Sequence, residues 1–253
     1  MVHVGALPGT PRHQHSINAI VEQAAHEAKT LIDAGLDAVL LENMHDVPYL
    51  RRNVGPEIVA SMTRVAAAVR DVIPDAPVGV QILAGANRAA LAVAHAANLQ
   101  FIRAEGFAFA SVADEGLLDE ADAGPLLRYR KMIGAESFQI FADIKKKHAS
   151  HAITSDVSLV EEAKAAQFMG ADGVIVTGRA TGESTDINDV KSVARAVDVP
   201  VMVGSGVTPD SAEQLLEHAD ALIVGSWLKK DGVWSNPLDM KRAKQIVHSA
   251  RPT

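Results

Sequence analysis

The sequence has no cysteine. Disulfide stapling, thiolate catalysis and cysteinyl zinc sites are therefore excluded, and a reducing compartment suits the chain. A basic surplus is also missing: 24 Lys and Arg against 31 Asp and Glu leave a net charge of −7. With no global positive field to concentrate a polyanion, nucleic-acid binding is not expected. No stretch approaches the ~18 uninterrupted apolar residues of a membrane-spanning helix, so no membrane insertion is expected. Residues 1–9 lack the basic flank and long apolar run of a secretory signal. These absences together point to a cytoplasmic location. Glycine and proline, at 18 and 11 of 253 residues, are too few for a collagen-like or low-complexity chain.

What is present is a core-forming composition, 48% hydrophobic and 22% charged. Short β-like runs recur at residues 2–6, 37–43, 77–83, 100–105, 138–145, 173–178, 200–204 and 221–226. Their spacing is about 30 residues, the size of one β-α unit with its crossover. Between them lie helical stripes such as Ile58, Val59, Met62, Val65, Ala66 and Val69. Helix starts are marked at Gly55-Pro56, Ser158 with Glu161, Thr208-Pro209 and Asn236-Pro237. Gly35, Gly134 and Gly170 mark helix ends. Eight repeats without a mid-chain linker predict a single α/β domain over residues 1–253, a (β/α)8 TIM barrel. A doubly wound open sheet is the competing fold, but no G-x-G-x-x-G follows the first strand; the nearest string, Gly204 to Pro209, follows the seventh.

Residues two apart on a strand share a face, so the barrel sorts its polar side chains. Glu42, Gln81, Arg103, Glu105, Asp143, Lys145 and Thr177 fall on inward positions near the C-terminal ends of their strands, where barrel enzymes build active sites. Leu41, Ile82, Ile102, Ile144 and Val176 then face the helices. Five converging ionisable groups suit a site; a structural ion network at the mouth is the simpler alternative. His3 and Asn43 lie at the same end.

Strand five ends in Asp143-Ile144-Lys145-Lys146-Lys147-His148. An Asp beside a crowded Lys is an acid-base pair in prospect, so Asp143 and Lys145 lead, with Lys147 as an anion holder and His148 as a proton shuttle. Lys146 is expected to be a solvated cation. A Schiff-base lysine needs a dry environment that a sequence does not display.

Three glycine-rich turns follow strands six, seven and eight. Their candidate phosphate anchors are Gly178, Thr181, Gly182, Gly204, Ser205, Gly206, Gly225 and Ser226. Glycine lets backbone N–H groups approach an anion, and barrels commonly hold phosphate with the loops after strands seven and eight and a short extra helix, here residues 227–230. Each glycine taken singly is an ordinary turn residue. The His13-Gln14-His15 string resembles a barrel metallohydrolase motif, but it sits in a loop, and strand eight ends in Gly225-Ser226 where such enzymes need a carboxylate. No cofactor is expected, and a divalent metal has no supporting ligand set.

These residues resemble the BtpA family. The resemblance runs through Met1-Val2-His3-Val4-Gly5-Ala6-Leu7-Pro8-Gly9, Glu42-Asn43, Val54-Gly55-Pro56-Glu57 and Leu127-Arg128-Tyr129-Arg130. It continues in Phe141-Ala142-Asp143, Lys147-His148-Ala149, Thr177-Gly178, Ala180-Thr181-Gly182 and Val203-Gly204-Ser205-Gly206-Val207-Thr208-Pro209, so it covers essentially the whole chain. It implies a TIM barrel of the phosphate-binding kind, in a family named for a member needed to accumulate photosystem I and found outside photosynthesis as well. Two departures stand out. The family usually carries a few residues ahead of Met-Val-His, and residues 88–97, expected as a loop, follow Gly85-Ala86-Asn87 where a more polar turn is usual.

The leading functional expectation is an enzyme acting on a small phosphorylated metabolite by isomerase, lyase or aldol-type chemistry. Glu42, Asp143 and Lys145 would do acid-base work, while Arg103 and Lys147 would stabilise negative charge. The alternative class is a non-catalytic assembly factor of the photosystem I type; a third reading is a metal-dependent or phosphate-ester hydrolase. Residues 106–124, with Phe107, Phe109 and several acids, are expected to be a lid rather than a docking surface. A homo-oligomer is compatible with the barrel class.

Overall fold

The computed structural model describes residues 1–178 and 184–251. Among these, eight parallel strands pair in chain order in one sheet. They are β1 (Val2–His3), β2 (Val39–Glu42), β3 (Val78–Gln81), β4 (Phe101–Ala104), β5 (Gln139–Ile144), β6 (Gly173–Val176), β7 (Val201–Val203) and β8 (Ala221–Leu222). The Met1 nitrogen donates to Val224 O at 2.7 Å and joins the first strand to the last, curling the sheet into an α/β barrel. Each strand lies inside its sequence-expected span and is shorter, as strand ends usually are.

The helices are α1 (Ile17–Asp33), α2 (Pro56–Val72), α3 (Asn87–Ala96), α4 (Ala123–Met132), α5 (Leu159–Phe168), α6 (Ile187–Ala194), α7 (Pro209–Leu216) and α8 (Met240–Ala250). Residues 88–97, expected as a loop, are therefore almost entirely helix α3. Proline opens α2 and α7, where its missing N–H costs nothing. Ser158 and Glu161 cap α5 reciprocally. Asn236-Pro237 starts no helix: α8 begins later because the Asp239 side chain accepts from the backbone of Lys241 and Arg242. The expected outward residues Leu41, Ile82, Ile102, Ile144 and Val176 are buried in the layer between strands and helices. No helix among the described residues is long and apolar enough to cross a membrane.

Aromatic rings seal the floor of the barrel. Phe101 and Phe141 meet edge to face with centroids 5.6 Å apart. Each ring lies against a glycine of a neighbouring strand: a Cβ on Gly79 would sit 2.1 Å from Phe101, and one on Gly173 would sit 2.5 Å from Phe141. Gly79→Ala should therefore cost about 1–3 kcal/mol through overpacking, measured by chemical denaturation. Adding Phe101→Leu should return part of that loss.

Residues 106–124 form more than a loop. Ser111–Ala113 pairs antiparallel with Gly116–Leu118 and, across the chain, with Ala149–Ser150. This small sheet stands over the mouth. Arg51 donates to Leu117 O, while Arg52 donates to Gly106 O and Glu120 O and lies 3.5 Å from Asp122. The loop after β2 thus clamps the structure that rises from β4.

Candidate active site

Above the sealed floor, the strand ends open into a cavity of about 120 Å³, enough for several waters or a small metabolite. His3, Glu42, Gln81, Arg103, Glu105, Lys146, Lys147 and His148 line it, as do Gly204, Ser205, Gly225 and Ser226. Residues far apart in the chain share one opening because each ends, or directly follows, a barrel strand.

Two ion pairs organise its floor, the first almost wholly buried. The Arg103 Nε donates to both Asp143 oxygens, at 3.0 and 3.1 Å, with the two side chains 4% and 0% exposed. Burial opposes the charge on Arg103, yet Asp143 and Glu42 beside it raise its pKa. Burial likewise pushes Asp143 up, against the pull of Arg103. Asp143 is absent from the pocket wall and lies behind Arg103. Its position suits orienting Arg103 better than meeting a ligand.

In the second pair, Lys146 Nζ lies 2.8 Å from Glu105 Oε1, and Gln81 Nε2 donates to that same oxygen at 2.7 Å. Burial works against the Lys146 charge, but Glu105 prevails and its pKa rises. Sequence alternation put Lys145 here and Lys146 in solvent; in the structure Lys146 occupies this place, and Lys145, equally shielded, turns toward Thr154 and Glu162. Strand β5 stops at Ile144, and Lys145 adopts φ +42. Its N–H goes to Glu162 Oε1 of α5 at 2.9 Å and its ammonium to Thr154 O at 2.9 Å. One left-handed residue slips the alternation, so Lys146 takes the inward place.

Glu42 is buried near the centre, and that burial raises its pKa, with Arg103 opposing. Lys147 Nζ lies 3.4 Å from Ser205 Oγ, and its backbone N–H donates to Thr177 Oγ1 at 3.1 Å. Burial, then Arg103, lowers the Lys147 pKa. His148 is at the rim with φ +57; burial and Lys147 lower its pKa and favour the neutral ring. Asn43 is not in the wall. Its amide donates to Asp46 and accepts from Leu83 N, holding the loops after β2 and β3 together.

Among the expected phosphate anchors, Gly204, Ser205, Gly225 and Ser226 line the pocket. Gly206 turns the chain just beyond, with φ +63. Gly178 follows Thr177 at the end of a described segment, and Thr181 and Gly182 lie outside the described residues. The short helix expected at 227–230 is a 3-10 turn at Ser226–Leu228. Met44 and Tyr49 also line the pocket and were not singled out in the sequence, and Asp114 and Glu115, two of the acids of the expected lid, join them. The acids stand at the tip of the hairpin, opposite the lysines. Among the described residues, no cluster of three or more His, Asp or Glu is arranged to hold a metal ion. His13 turns Nδ1 to Ala6 O at 2.9 Å.

Comparison with known proteins places this architecture. The BtpA family model matches residues 1–252. The chain belongs to the BtpA family. It is 47% identical over 251 residues to an uncharacterised mitochondrial protein of Caenorhabditis elegans, covering 98% of this chain and 90% of that one. It is 31% identical over 250 residues to the photosystem I biogenesis protein BtpA of Synechocystis, covering 98% and 86%. Among solved structures, (S)-3-O-geranylgeranylglyceryl phosphate synthase of Thermoplasma acidophilum, in complex with substrate sn-glycerol-1-phosphate, superposes with TM-score 0.59. That match has 17% identity and covers 92% of this chain and 88% of the synthase; it establishes the TIM-barrel fold.

Some BtpA-family motif residues of this chain serve the scaffold. Glu57 folds across both Gly9 and Gly55, where an added Cβ would lie 2.9 and 2.2 Å from its side chain. Arg130 donates to Asp172 at 2.7 Å and to Phe138 O at 3.3 Å, tying α4 to the bottom of the sheet. The motifs of β2, β5 and β7 instead supply Glu42, Lys147 and Ser205 to the opening.

Proposed function

We propose that this BtpA-family chain is an enzyme that moves a proton on a small phosphorylated carbonyl compound, giving isomerisation or carbon–carbon cleavage. One observation carries the reading: Glu42 shares a pocket with Arg103 and Lys147, while Ser205, Gly225 and Ser226 end adjacent strands in the same wall. A carboxylate whose pKa is raised by burial is a better base than a solvated one. Cations facing it stabilise an oxyanion as it develops. The bound glycerol phosphate of the Thermoplasma synthase supports a phosphate ligand on this fold.

In this reading the phosphate rests against Gly204, Ser205, Gly225 and Ser226, with Lys147 as counter-charge. Glu42 takes the proton from the carbon next to the carbonyl, and the electron pair moves onto the carbonyl oxygen, which faces Arg103. Where the deprotonated carbon bears a hydroxyl, the hydroxyl proton passes to the oxyanion and Glu42 returns its proton to the former carbonyl carbon, so the carbonyl moves by one carbon and the isomer results. In the cleavage variant, Glu42 deprotonates a hydroxyl, and the carbon–carbon bond breaks to leave an enolate and a new carbonyl. Asp143 and Glu105 hold Arg103 and Lys146 in place, and His148 relays protons to solvent at the rim.

A thermal-shift screen with phosphorylated three- to six-carbon carbonyl compounds tests the reading. A matching compound at about 100 times its Kd should stabilise the protein by about 2.7 kcal/mol, a rise of several degrees. Its dephosphorylated form should do far less, and Ser205→Asp should remove the response. Silence toward every phosphorylated compound would favour the scaffold alternative.

A further inference from the structure

The wall of the opening contributed by β1, β3 and β4 presents hydrogen-bond acceptors that nothing so far uses. His3 turns Nδ1 to the carbonyl oxygen of Trp234 at 2.9 Å. A carbonyl only accepts, so Nδ1 carries the proton and Nε2 presents a lone pair. Burial keeps that ring neutral, with a pKa lowered to about 3. Nε2 is 4.0 Å from Glu42 Oε2, beyond hydrogen-bonding distance, and lies beside Gly225 of the same pocket.

Gln81 and Glu105 add two more. Gln81 Nε2 is committed to Glu105 Oε1, which fixes the amide orientation and leaves Oε1 as the other end. That Oε1 meets no donor among the described residues, and neither does Glu105 Oε2. Both side chains belong to the pocket wall and are only 2% and 1% exposed. Buried acceptors without donors are rare in native proteins and recur at functional sites. Here two of them face one pocket, and the His3 Nε2 lone pair belongs to the same wall.

Charge selects what donates to them. Beside these acceptors Glu105 is already paired with Lys146, and Arg103 and Lys147 line the same wall, so an ammonium ion placed there would meet fixed positive charge at close range. Neutral hydroxyl groups satisfy the acceptors without adding charge.

We propose that His3 Nε2, Gln81 Oε1 and Glu105 Oε2 form a hydroxyl-reading subsite, so that the ligand is a phosphorylated carbon chain bearing at least two hydroxyl groups distal to its phosphate. The inference rests on the phosphate reading above and adds to it the chemistry of the other end. Calorimetric titration with ribitol 5-phosphate, n-pentyl phosphate and ribitol separates the two.

The proposal expects ribitol 5-phosphate to bind at least about tenfold tighter than pentyl phosphate, since a pocket built to pair hydroxyl groups rejects analogues that lack them. Gln81→Met and His3→Leu, each checked for a cooperative thermal transition, should cut that preference to below about threefold. Equal binding of the two phosphates, or a preference that survives both variants, overturns the hydroxyl subsite and leaves the phosphate anchor standing. Ribitol binding as tightly as its phosphate overturns the anchor. No binding of any of the three overturns both.

Discussion

Glu42→Gln is expected to lower proton exchange on the substrate by about 10²–10⁴-fold. The measurement is deuterium incorporation from D2O into phosphorylated carbonyl compounds, followed by mass spectrometry. The product need not be identified, because any compound that passes through an enolate gains mass. The substitution keeps the shape of Glu42 and removes only its ability to take a proton.

The pH dependence carries the same assignment. Glu42 works as the carboxylate, and burial raises its pKa, so exchange should rise with pH above the ordinary carboxylate range. Lys147 works as the cation, and burial together with Arg103 lowers its pKa, so exchange should fall below the ordinary lysine range. The profile is therefore a bell narrower than solvated Glu and Lys would give. Lys147→Met should abolish its alkaline limb. If Glu42→Gln exchanges as fast as the parent chain, another base does the work.

Arg103→Met is expected to destabilise the fold by about 3–5 kcal/mol. Both partners of the Arg103–Asp143 pair are almost wholly buried, so removing the cation strands a carboxylate without water or counter-charge. By thermal denaturation this amounts to roughly 10 °C for a domain of this size. Removing the stranded group as well, in Arg103→Met with Asp143→Leu, should recover most of the loss, because two apolar side chains pack where two charges did. A single variant as stable as the parent would mean that Asp143 is protonated in the native state. The double variant should remain inactive in the deuterium assay, which separates the catalytic part of Arg103 from its structural part.

Much of the barrel is written in local chemistry. Alternation put Glu42, Gln81, Arg103 and Glu105 at the inner ends of β2, β3 and β4, and the structure places all four in the pocket wall. Helix boundaries were readable where proline, a capping serine or a terminal glycine acts on its own turn, as at Pro56, Ser158 and Gly35.

What escaped depends on distant contacts or on single backbone angles. The exchange of Lys145 for Lys146 follows from one residue at φ +42, held by Glu162 from the next helix. The small sheet over the mouth uses strands of three residues or fewer, too short for periodicity, and one of them comes from the loop after β5. Asn236-Pro237 looks like a helix start, yet the chain there still belongs to the loop that brings Trp234 over His3.

The central claim is that phosphate sits at the ends of β7 and β8 with the reactive carbon chain turned toward Glu42. A crystal structure of the chain with ribitol 5-phosphate tests it directly. The account predicts phosphorus within about 4 Å of the Ser205 or Ser226 backbone nitrogen, given ordinary hydrogen-bond lengths, and hydroxyl groups against Gln81 and Glu105. Phosphate bound outside this opening, or seated instead between Gln81 and Glu105, would contradict it.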